Sequence, residues 1–333
     1  MNTSGSHPGD ESASARPEAQ RSAAPPTIPD YQLQHRIGSG AYGDVWLARS
    51  TATNVFRAVK IIYRSTFSDE RPYQREFEGI LKFEAVSRSH PSQLALFHVG
   101  RDETAGYFYY VMELADPATP GRSSTWSAIR NQTEAGNPAL ISENNDSLVL
   151  LPDYSPRTLH SDLKGGRMPV VRVLELGLAL SEALADLHAH GLACSPFTAS
   201  KILFVNGLPK FGRVHSLVQT SPGDDCPPYV VRAYATLPSV NAPFADLLAL
   251  IDVLYNALTG FSGQQFPEIP IDLQRGPAAA LNEELITILN RAYEPRVSTH
   301  CSCAAALRSD LEQLTSKRWV KKLLKQSRAT TDH

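Results

Sequence analysis

Hydrophobic and polar positions follow one period in the first part of the chain and another in the rest. Between residues 31 and 115, short apolar runs separated by turn-forming residues predict strands, interrupted by one predicted helix at 71–86. Beyond residue 153 the apolar positions recur every three to four residues, which is typical of amphipathic helices. Predicted strands therefore dominate the first part of the chain and predicted helices the rest. The predicted strands are 45–48, 58–62, 94–99 and 106–112, and the predicted later helices are 170–190, 245–260 and 304–314.

Three stretches lack this periodicity and set the expected boundaries. Residues 1–29 are rich in Ser, Ala, Pro and Gly, and we predict a disordered segment because they cannot bury enough apolar surface to offset the entropy of ordering. Residues 116–152 are dominated by Pro, Gly, Ser, Asn and Thr, which predicts an exposed insertion. The last stretch, 316–333, is a basic tail. The folded parts are therefore expected to be 30–115 and 153–315, on the two sides of the insertion.

Composition narrows the class of protein. The chain has 333 residues, of which 42 % are hydrophobic, so it can bury one large core or two smaller ones. A formal net charge of −2 gives no general attraction to nucleic acid, and none is expected as a partner. The four cysteines are too few for a disulfide framework, and His300, Cys301 and Cys303 lack a second ligand pair at zinc-site spacing, so no metal site is predicted. With no apolar run of membrane-spanning length and no signal-peptide pattern, a soluble cytoplasmic protein is expected.

A glycine-rich segment near the start of the predicted strand region carries the candidate chemistry. Gly38, Gly40 and Gly43, followed by Val45, form the pattern G-x-G-x-x-G-x-V, in which glycines let backbone N–H groups approach phosphate oxygens closely. The glycine pattern alone is weak evidence, since other loops and dinucleotide-binding folds share it. Here a strand rather than a helix follows the glycines, which argues against a dinucleotide-binding fold. Lys60 lies on the next predicted strand, and the alternative that stays open is a glycine turn beside a surface lysine.

The glycine pattern and the Arg-Ala-Val-Lys sequence ending at Lys60 together resemble the nucleotide-binding hairpin of protein kinases. The resemblance to this superfamily, of the bacterial Ser/Thr type, extends over about residues 31–315. It implies an α+β, two-lobed fold, with a small antiparallel β lobe that carries one main helix and a larger, mainly α-helical lobe. In this family, four parts of the fold form the ATP site. They are the glycine hairpin, the strand lysine, a helix glutamate and the hinge, which in this chain would follow Met112. The resemblance therefore implies an ATP site formed by Ile37, Gly38, Ser39, Gly40, Ala41, Tyr42, Gly43, Asp44, Val45, Lys60, Glu76, Glu113 and Ala115.

Two glutamates of the first predicted helix compete for the position that, in the family, pairs with the strand lysine. Glu76 is the preferred candidate because the apolar residues Ile80 and Phe83 follow it at helical spacing and would orient it inward. Glu78 is the alternative, and an ordinary solvated glutamate is a third interpretation. The hinge assignment at Glu113 is open in a similar way, because a buried strand without a ligand would share most of its features.

The region where active kinases carry their catalytic loop departs from the family pattern. Gly191-Leu192 and Ile202-Leu203 bracket this loop with the family's length. Between them, Pro196 stands at the position of the catalytic aspartate and Lys201 at that of the metal-binding asparagine. Further on, Arg213 stands at the position of the aspartate of D-F-G. No catalytic residue is therefore expected to be intact.

Neighbouring carboxylates offer no replacement for the missing groups. The sequence contains no Asp or Glu between Asp186 and Asp224, so a small shift in alignment would not restore a base or a metal ligand. Loss of a general base costs roughly 10²–10⁴ in rate, and loss of a metal clamp removes further stabilisation of the transition state. We therefore predict a pseudokinase that binds ATP or a protein partner. A sharper hypothesis is that the fixed cations Lys201 and Arg213 neutralise the phosphates of ATP in place of Mg²⁺. The alternatives are a Ser/Thr protein kinase with an unorthodox base, and a scaffold that binds partners through its basic C-terminal tail.

Two further features have expected structural or binding roles. In the family, an aspartate at the position of Asp246 caps the backbone of the catalytic loop, so Asp246 is interpreted as structural. The segment 317–328 carries six cations and no acid, and such a basic amphipathic helix can lie on an anionic membrane surface or bind a protein partner. A solvated extension of the last helix is the simpler interpretation of this segment. A protein partner is expected for a pseudokinase in either case.

Overall fold

The computed structural model describes residues 25–40, 42–118, 154–194, 197–212, 218–219, 242–293 and 303–323. It is an α+β protein, the fold class that the resemblance to protein kinases implies. The described chain forms two compact units. One contains residues 25–74 and His98–Leu114, and the other contains Arg75–Phe97, 115–118 and the described residues from Tyr154 onward. Over all of these residues, none of the helices combines the length and the apolar character needed to cross a membrane.

The first unit is built on a five-stranded antiparallel sheet in the order β1-β2-β3-β5-β4. Its strands are rich in β-branched and aromatic residues, which suit a pleated surface. The predicted strands are confirmed with small shifts at their ends, and β4 begins two residues later than predicted. The strands are β1 (Tyr31–Ser39), β2 (Gly43–Ser50), β3 (Phe56–Tyr63), β4 (Leu96–Asp102) and β5 (Tyr107–Met112).

One face of this sheet is covered by a residue from the predicted N-terminal lead-in. Ile28 is 2 % exposed and packs in a cluster with Val59 and Ile61 of β3. The hydroxyl of Tyr107 also donates a hydrogen bond to the Thr27 carbonyl, at 3.3 Å. The packed part of the chain therefore begins before residue 29, where the composition placed the end of disorder. A single isoleucine in a Pro-rich segment has no periodic pattern, so only its contacts with the sheet reveal its role.

Helix α1 (Glu70–Val86) follows β3 after a short 3₁₀ turn at Arg64–Thr66. Its buried residues recur at helical spacing: Tyr73 and Ile80 are fully buried, and Phe83 is 2 % exposed. The segment is helical because this apolar stripe packs on one side, while half of the other positions carry charged side chains of high helix propensity.

The second unit is mainly helical. Its helices are α2 (Leu159–Leu163), α3 (Val170–Ala189), α4 (Ala242–Thr259), α5 (Ala279–Tyr293) and α6 (Ala304–Ser316), and a further helical segment spans 318–323. The stripe predicted for α3 is confirmed, since Val173, Leu176, Leu180, Leu184 and Leu187 are all buried. Helix α4 buries apolar residues around most of its circumference, as expected for a central helix surrounded by others.

Gly177 allows α3 to approach two other helices closely. A Cβ atom at this position would lie 3.0 Å from Leu311 Cδ1 of α6 and 3.2 Å from Leu254 Cδ1 of α4. Both distances are shorter than ordinary van der Waals contact. The helix therefore contains a residue of low helix propensity because the packing of three helices leaves no room for a side chain.

Short strand pairs complete the second unit. Strand β6 (Leu192–Ala193) pairs with β9 (Val218–Gln219), and β7 (Ile202–Val205) pairs with β8 (Leu208–Phe211). The predicted Asn-Gly turn joins β7 to β8, with φ of 52° at Asn206 and 75° at Gly207.

Asp116 holds the turn between β7 and β8. Its carboxylate accepts hydrogen bonds from the backbone N–H groups of Asn206, at 2.9 Å, and Gly207, at 2.8 Å. Its own N–H donates to the Phe204 carbonyl, at 2.7 Å. Asp116 was assigned to the exposed insertion, but residues 116–118 belong to the packed structure. The rest of the predicted insertion, 119–152, lies outside the described residues.

Candidate functional site

The glycine-rich hairpin (residues 37–45) joins β1 to β2, and its backbone packs tightly on the neighbouring strand. The Gly40 N–H donates to the Gly43 carbonyl, at 2.9 Å, which closes the turn. A Cβ atom on Gly43 would lie only 2.0 Å from the Ile61 carbonyl oxygen, so no other residue fits there without moving the backbone. Ala41 lies outside the described residues. The last glycine of the pattern is therefore required by steric contact within the sheet.

Lys60 lies on β3, next to the hairpin. In the sheet register it stands opposite Val45 of β2 on one side and Tyr110 of β5 on the other. Because residues directly opposite each other share a face of the sheet, these three side chains project together. The Lys60 ammonium lies 5.9 Å from the centroid of the Tyr110 ring, and the residue is only 9 % exposed. The structure thus brings the glycine hairpin and a shielded cation to one face of the sheet.

The side chains of Ser39 and Asp44, both predicted binding residues, connect the two strands of the hairpin. The Ser39 hydroxyl donates to the Asp44 carboxylate, at 2.9 Å, and Arg36 lies 3.8 Å from the same oxygen. Asp44 is 5 % exposed. Since it adjoins Val45 along β2, its side chain points to the other face from Val45 and Lys60. Asp44 therefore stiffens the hairpin from the face opposite the cation.

The hinge candidates lie at the end of β5. Met112 is 5 % exposed and stands opposite Ala58 in the register. Glu113 exerts an electrostatic influence on Arg57, whose guanidinium pKa is lowered chiefly by burial and held up in part by Tyr31 and Glu113. Ile37, another predicted binding residue, packs beside Leu114 against a buried cluster of the sheet.

In the second unit, Ala115 is fixed by Tyr154. The Tyr154 hydroxyl donates to the Ala115 carbonyl, at 2.8 Å, and burial raises the pKa of this phenol. Tyr154 was not predicted as a site residue. A lone tyrosine after an aperiodic stretch offers no sequence signal, and its role is visible only through the long-range hydrogen bond.

The two glutamate candidates of α1 differ in their surroundings. Glu76 is half-buried, whereas Glu78 is exposed. Exposure follows from their positions on the helix, because Glu76 lies nearer to the stripe formed by Tyr73, Ile80 and Phe83. This difference is consistent with the preference for Glu76, and its pairing with Lys60 stays a prediction.

Asp246 occupies the expected structural position in the second unit. It begins the second turn of α4 and is fully buried. One carboxylate oxygen accepts a hydrogen bond from the Cys194 backbone N–H, at 2.7 Å, and lies 3.1 Å from His188 Nε2 of α3. Burial raises the pKa of Asp246 to about 6, against the opposing effect of these two hydrogen bonds. Asp246 therefore holds the backbone at the start of residues 191–213, which carry the positions that differ from the kinase pattern and which we name the degenerate loop.

The rest of the degenerate loop contains one described candidate position. Pro196 and Arg213 lie outside the described residues, whereas Lys201 is exposed at the end of a 3₁₀ turn (Ala199–Lys201). The Lys201 carbonyl accepts a hydrogen bond from the Gly212 N–H, at 2.7 Å. Phe197 packs edge-on against Phe211, with ring centroids 4.8 Å apart.

The donor groups near this loop do not suit Mg²⁺. Mg²⁺ in phosphoryl-transfer sites is held by carboxylate and amide oxygens, and Lys201 stands where the family has the amide ligand. Across the described parts of the chain, no three His, Cys, Asp or Glu side chains cluster in a way that could hold a metal ion. Lys201, as an ammonium without a free lone pair, supplies no ligand to a metal ion.

Comparison with known proteins gives distant relatives among protein kinases. Serine/threonine-protein kinase PLK4 of Drosophila virilis is 27 % identical over 159 residues, which are 46 % of this chain and 20 % of the relative. The PLK4 of Drosophila willistoni is 26 % identical over 212 residues, which are 56 % of this chain and 26 % of the relative. The PLK4 of Drosophila melanogaster is 29 % identical over 154 residues, which are 46 % of this chain and 19 % of the relative. No family model matches the chain.

This weak homology supports a kinase-like protein. The five-stranded antiparallel sheet followed by a helical unit is compatible with that class. The chain spans about a fifth to a quarter of the length of these curated relatives. Similarity and fold together support a protein-kinase-like relationship.

Proposed function

We propose that the protein is a pseudokinase that binds ATP through its glycine-rich hairpin and Lys60, without efficient phosphoryl transfer. The observation that carries this proposal is the register of the sheet, which aligns Lys60 with Val45 directly behind the glycine hairpin. A glycine-rich hairpin with a shielded ammonium on the neighbouring strand is the arrangement that nucleotide-binding kinase folds use. The bacterial subtype stays a prediction.

The charge of the degenerate loop supports the loss of catalysis. Phosphoryl transfer depends on a positioned base and on metal ions that neutralise the developing charge. The sequence from Leu187 to Gly223 contains no carboxylate that could serve as either group. By the family resemblance, Lys201 and Arg213 stand at the sequence positions of the metal-holding side chains, so positive charge replaces metal ligands at these positions.

Nucleotide titration followed by thermal unfolding tests this proposal. We expect ATP to raise the unfolding midpoint equally in EDTA and in Mg²⁺, because fixed cations replace the metal. At a ligand concentration of about 100 times Kd, the stabilisation should approach roughly 2.7 kcal/mol. Stabilisation that appears only with Mg²⁺ would contradict the metal-free mode of binding, and no stabilisation by either mixture would contradict ATP binding itself.

A second candidate function rests on the helical segment at 318–323. Val320 is fully buried and packs this segment against the second unit. Lys317, directly before the segment, forms an ion pair with Glu284 of α5, at 2.6 Å. Arg318, Lys321 and Lys322 remain exposed, and Trp319 beside them is 38 % exposed. Cations grouped around an exposed tryptophan suit an anionic membrane surface, where each Lys or Arg contributes about 1 kcal/mol.

Vesicle sedimentation tests this second function. We expect the wild-type chain to bind vesicles that contain phosphatidylserine, and the variant Arg318→Gln/Lys321→Gln/Lys322→Gln to bind roughly 100-fold more weakly, because three cations are removed. A matched control replaces the exposed cations Arg71, Arg75 and Lys82 of α1 by glutamine. Equal losses in the two triple variants, or no sedimentation of the wild type, would exclude a specific role for this segment. If the wild-type chain binds an acidic protein but does not bind vesicles, the segment would instead serve a protein partner.

A further inference from the structure

The tip of the glycine-rich hairpin is attached to the segment that connects β3 to α1. The Tyr42 ring stacks on the Phe67 ring, with centroids 4.6 Å apart and an interplanar angle of 11°. The Tyr42 carbonyl accepts a hydrogen bond from the Tyr63 N–H, at 3.2 Å, and lies 3.2 Å from the Thr66 hydroxyl. The most mobile part of a glycine loop is thus held by a ring contact and by backbone hydrogen bonding.

The ring of Phe67 continues this contact into the interior of the first unit. Phe67 meets Tyr73 edge-on, with ring centroids 5.6 Å apart, and Tyr73 meets Phe108 of β5, at 5.3 Å. Tyr73 is fully buried. The rings Tyr42, Phe67, Tyr73 and Phe108 form a continuous series, which we name the aromatic ladder. It connects the hairpin tip to the first turn of α1 and to the sheet.

Charged residues fix the middle of the aromatic ladder. The guanidinium groups of Arg64 and Arg101 lie 5.4 and 5.3 Å from the centroid of the Tyr73 ring. Glu103 pairs with both arginines, at 2.7 Å to Arg64 and 2.8 Å to Arg101, and Glu70 lies 3.3 Å from Arg64. Exposed ion pairs are individually weak, but here they join three segments around one buried ring. The base of the ladder is therefore held by contacts on several sides.

From this series we infer that Phe67 is a positioning residue for the glycine-rich hairpin, and that it raises the affinity for the phosphate groups of a nucleotide by holding the hairpin in its binding conformation. The inference rests on the proposed function. A loop that contains three glycines loses much conformational entropy when it orders on a ligand. If the ladder orders the hairpin before the ligand binds, this entropy is lost during folding and not during binding. The affinity for the ligand is then higher.

The ladder should affect the phosphate part of a ligand and not its nucleoside part. The hairpin tip carries the backbone N–H groups that would face phosphates, whereas a nucleoside lacks the groups that they would bind. Removal of the Phe67 ring is therefore expected to weaken ATP binding while leaving adenosine binding unchanged. A general loss of structure would weaken the binding of both ligands.

The test uses the full chain with Phe67→Leu and, as a matched control, Phe97→Leu, which changes a phenylalanine that is 41 % exposed. We expect Phe67→Leu to raise the Kd for ATP roughly 3- to 10-fold, as the loss of an aromatic pair implies, and to change the Kd for adenosine less than twofold. Phe67→Tyr, which keeps the ring, should restore ATP affinity. Equal weakening of ATP and adenosine, or unchanged ATP affinity, would overturn the inference.

Hydrogen exchange separates this inference from the proposed function. Without nucleotide, amides at 38–45 should exchange faster in Phe67→Leu than in the wild type or in Phe97→Leu, because the tip has lost its support. Unchanged exchange would show that Phe67 does not hold the hairpin, whatever ATP does. If exchange is faster in Phe67→Leu but the wild type binds no ATP, Phe67 still holds the hairpin. The proposed function and the role of Phe67 in affinity would then both be rejected.

Discussion

Asp246→Ala is expected to lower the free energy of unfolding by roughly 2–5 kcal/mol. The substitution removes the hydrogen-bond partner of the buried Cys194 N–H and of the half-buried His188 ring, and an unsatisfied buried group costs about 1–3 kcal/mol. It should also release the backbone that begins the degenerate loop. Denaturant unfolding followed by far-UV circular dichroism measures the effect.

Asp246→Asn is the matched control for this prediction. It retains the side-chain shape and one oxygen that can accept the bond from Cys194, so the loss should be clearly smaller than for alanine. Similar losses in both variants would show that the amide oxygen does not replace the carboxylate oxygen as the acceptor for the Cys194 N–H. Near-neutral values for both would contradict the structural role of Asp246.

The stability difference between the wild type and Asp246→Asn should also depend on pH. The pKa of Asp246 is about 6 in the folded protein, above its ordinary value of 3.8, so between these two pH values the folded state holds a proton that the unfolded state has released. The wild type should therefore be most favoured relative to the Asn variant below about pH 4, and should lose up to roughly 3 kcal/mol of that advantage as the pH rises through 6. A difference that is constant from pH 4 to 7 would contradict the raised pKa.

Lys60→Met is expected to weaken ATP binding roughly 10- to 100-fold. The substitution keeps most of the apolar stem and removes the ammonium, whose hydrogen bonds to a charged phosphate are worth about 1.5–3 kcal/mol. Isothermal titration calorimetry in EDTA measures the change directly. The matched control is Lys322→Met, which removes an exposed cation from the segment at 318–323.

The same Lys60 variant distinguishes a pseudokinase from a kinase with an unorthodox base. With radiolabelled ATP, we expect no transfer of phosphate above background by the wild type or by Lys60→Met. Labelling by the wild type that disappears in the variant would overturn the proposed loss of catalysis and favour the alternative enzyme. An unchanged ATP affinity in Lys60→Met would exclude this lysine from the nucleotide site.

Local patterns predicted much of the fold and the residue types of the candidate site. The glycine spacing and the apolar run around Lys60 predicted a strand–turn–strand arrangement, and the described sheet has it with Lys60 opposite Val45. The apolar spacing of α3 predicted its buried stripe residue by residue. These features depend on neighbours only a few positions apart in the sequence, so their periodicity is visible without knowledge of the fold.

Long-range contacts decided what the patterns left undetermined. Ile28 covers a sheet face, Asp116 holds a turn about 90 positions away, and Phe67 supports the hairpin tip through Tyr42. Each of these residues is ordinary in its local sequence and acquires its role from a partner distant along the chain.

The sequence by itself determined the α+β order of elements, the glycine hairpin with its lysine, and the absence of carboxylates from the degenerate loop. Tertiary structure alone decided three features. They are the hydrogen bond between Ser39 and Asp44 within the hairpin, the burial of one glutamate of α1 rather than the other, and the donors that bind the Asp246 carboxylate. The physical reason is that backbone periodicity is a local property, whereas burial and hydrogen-bond partnership depend on how distant segments pack.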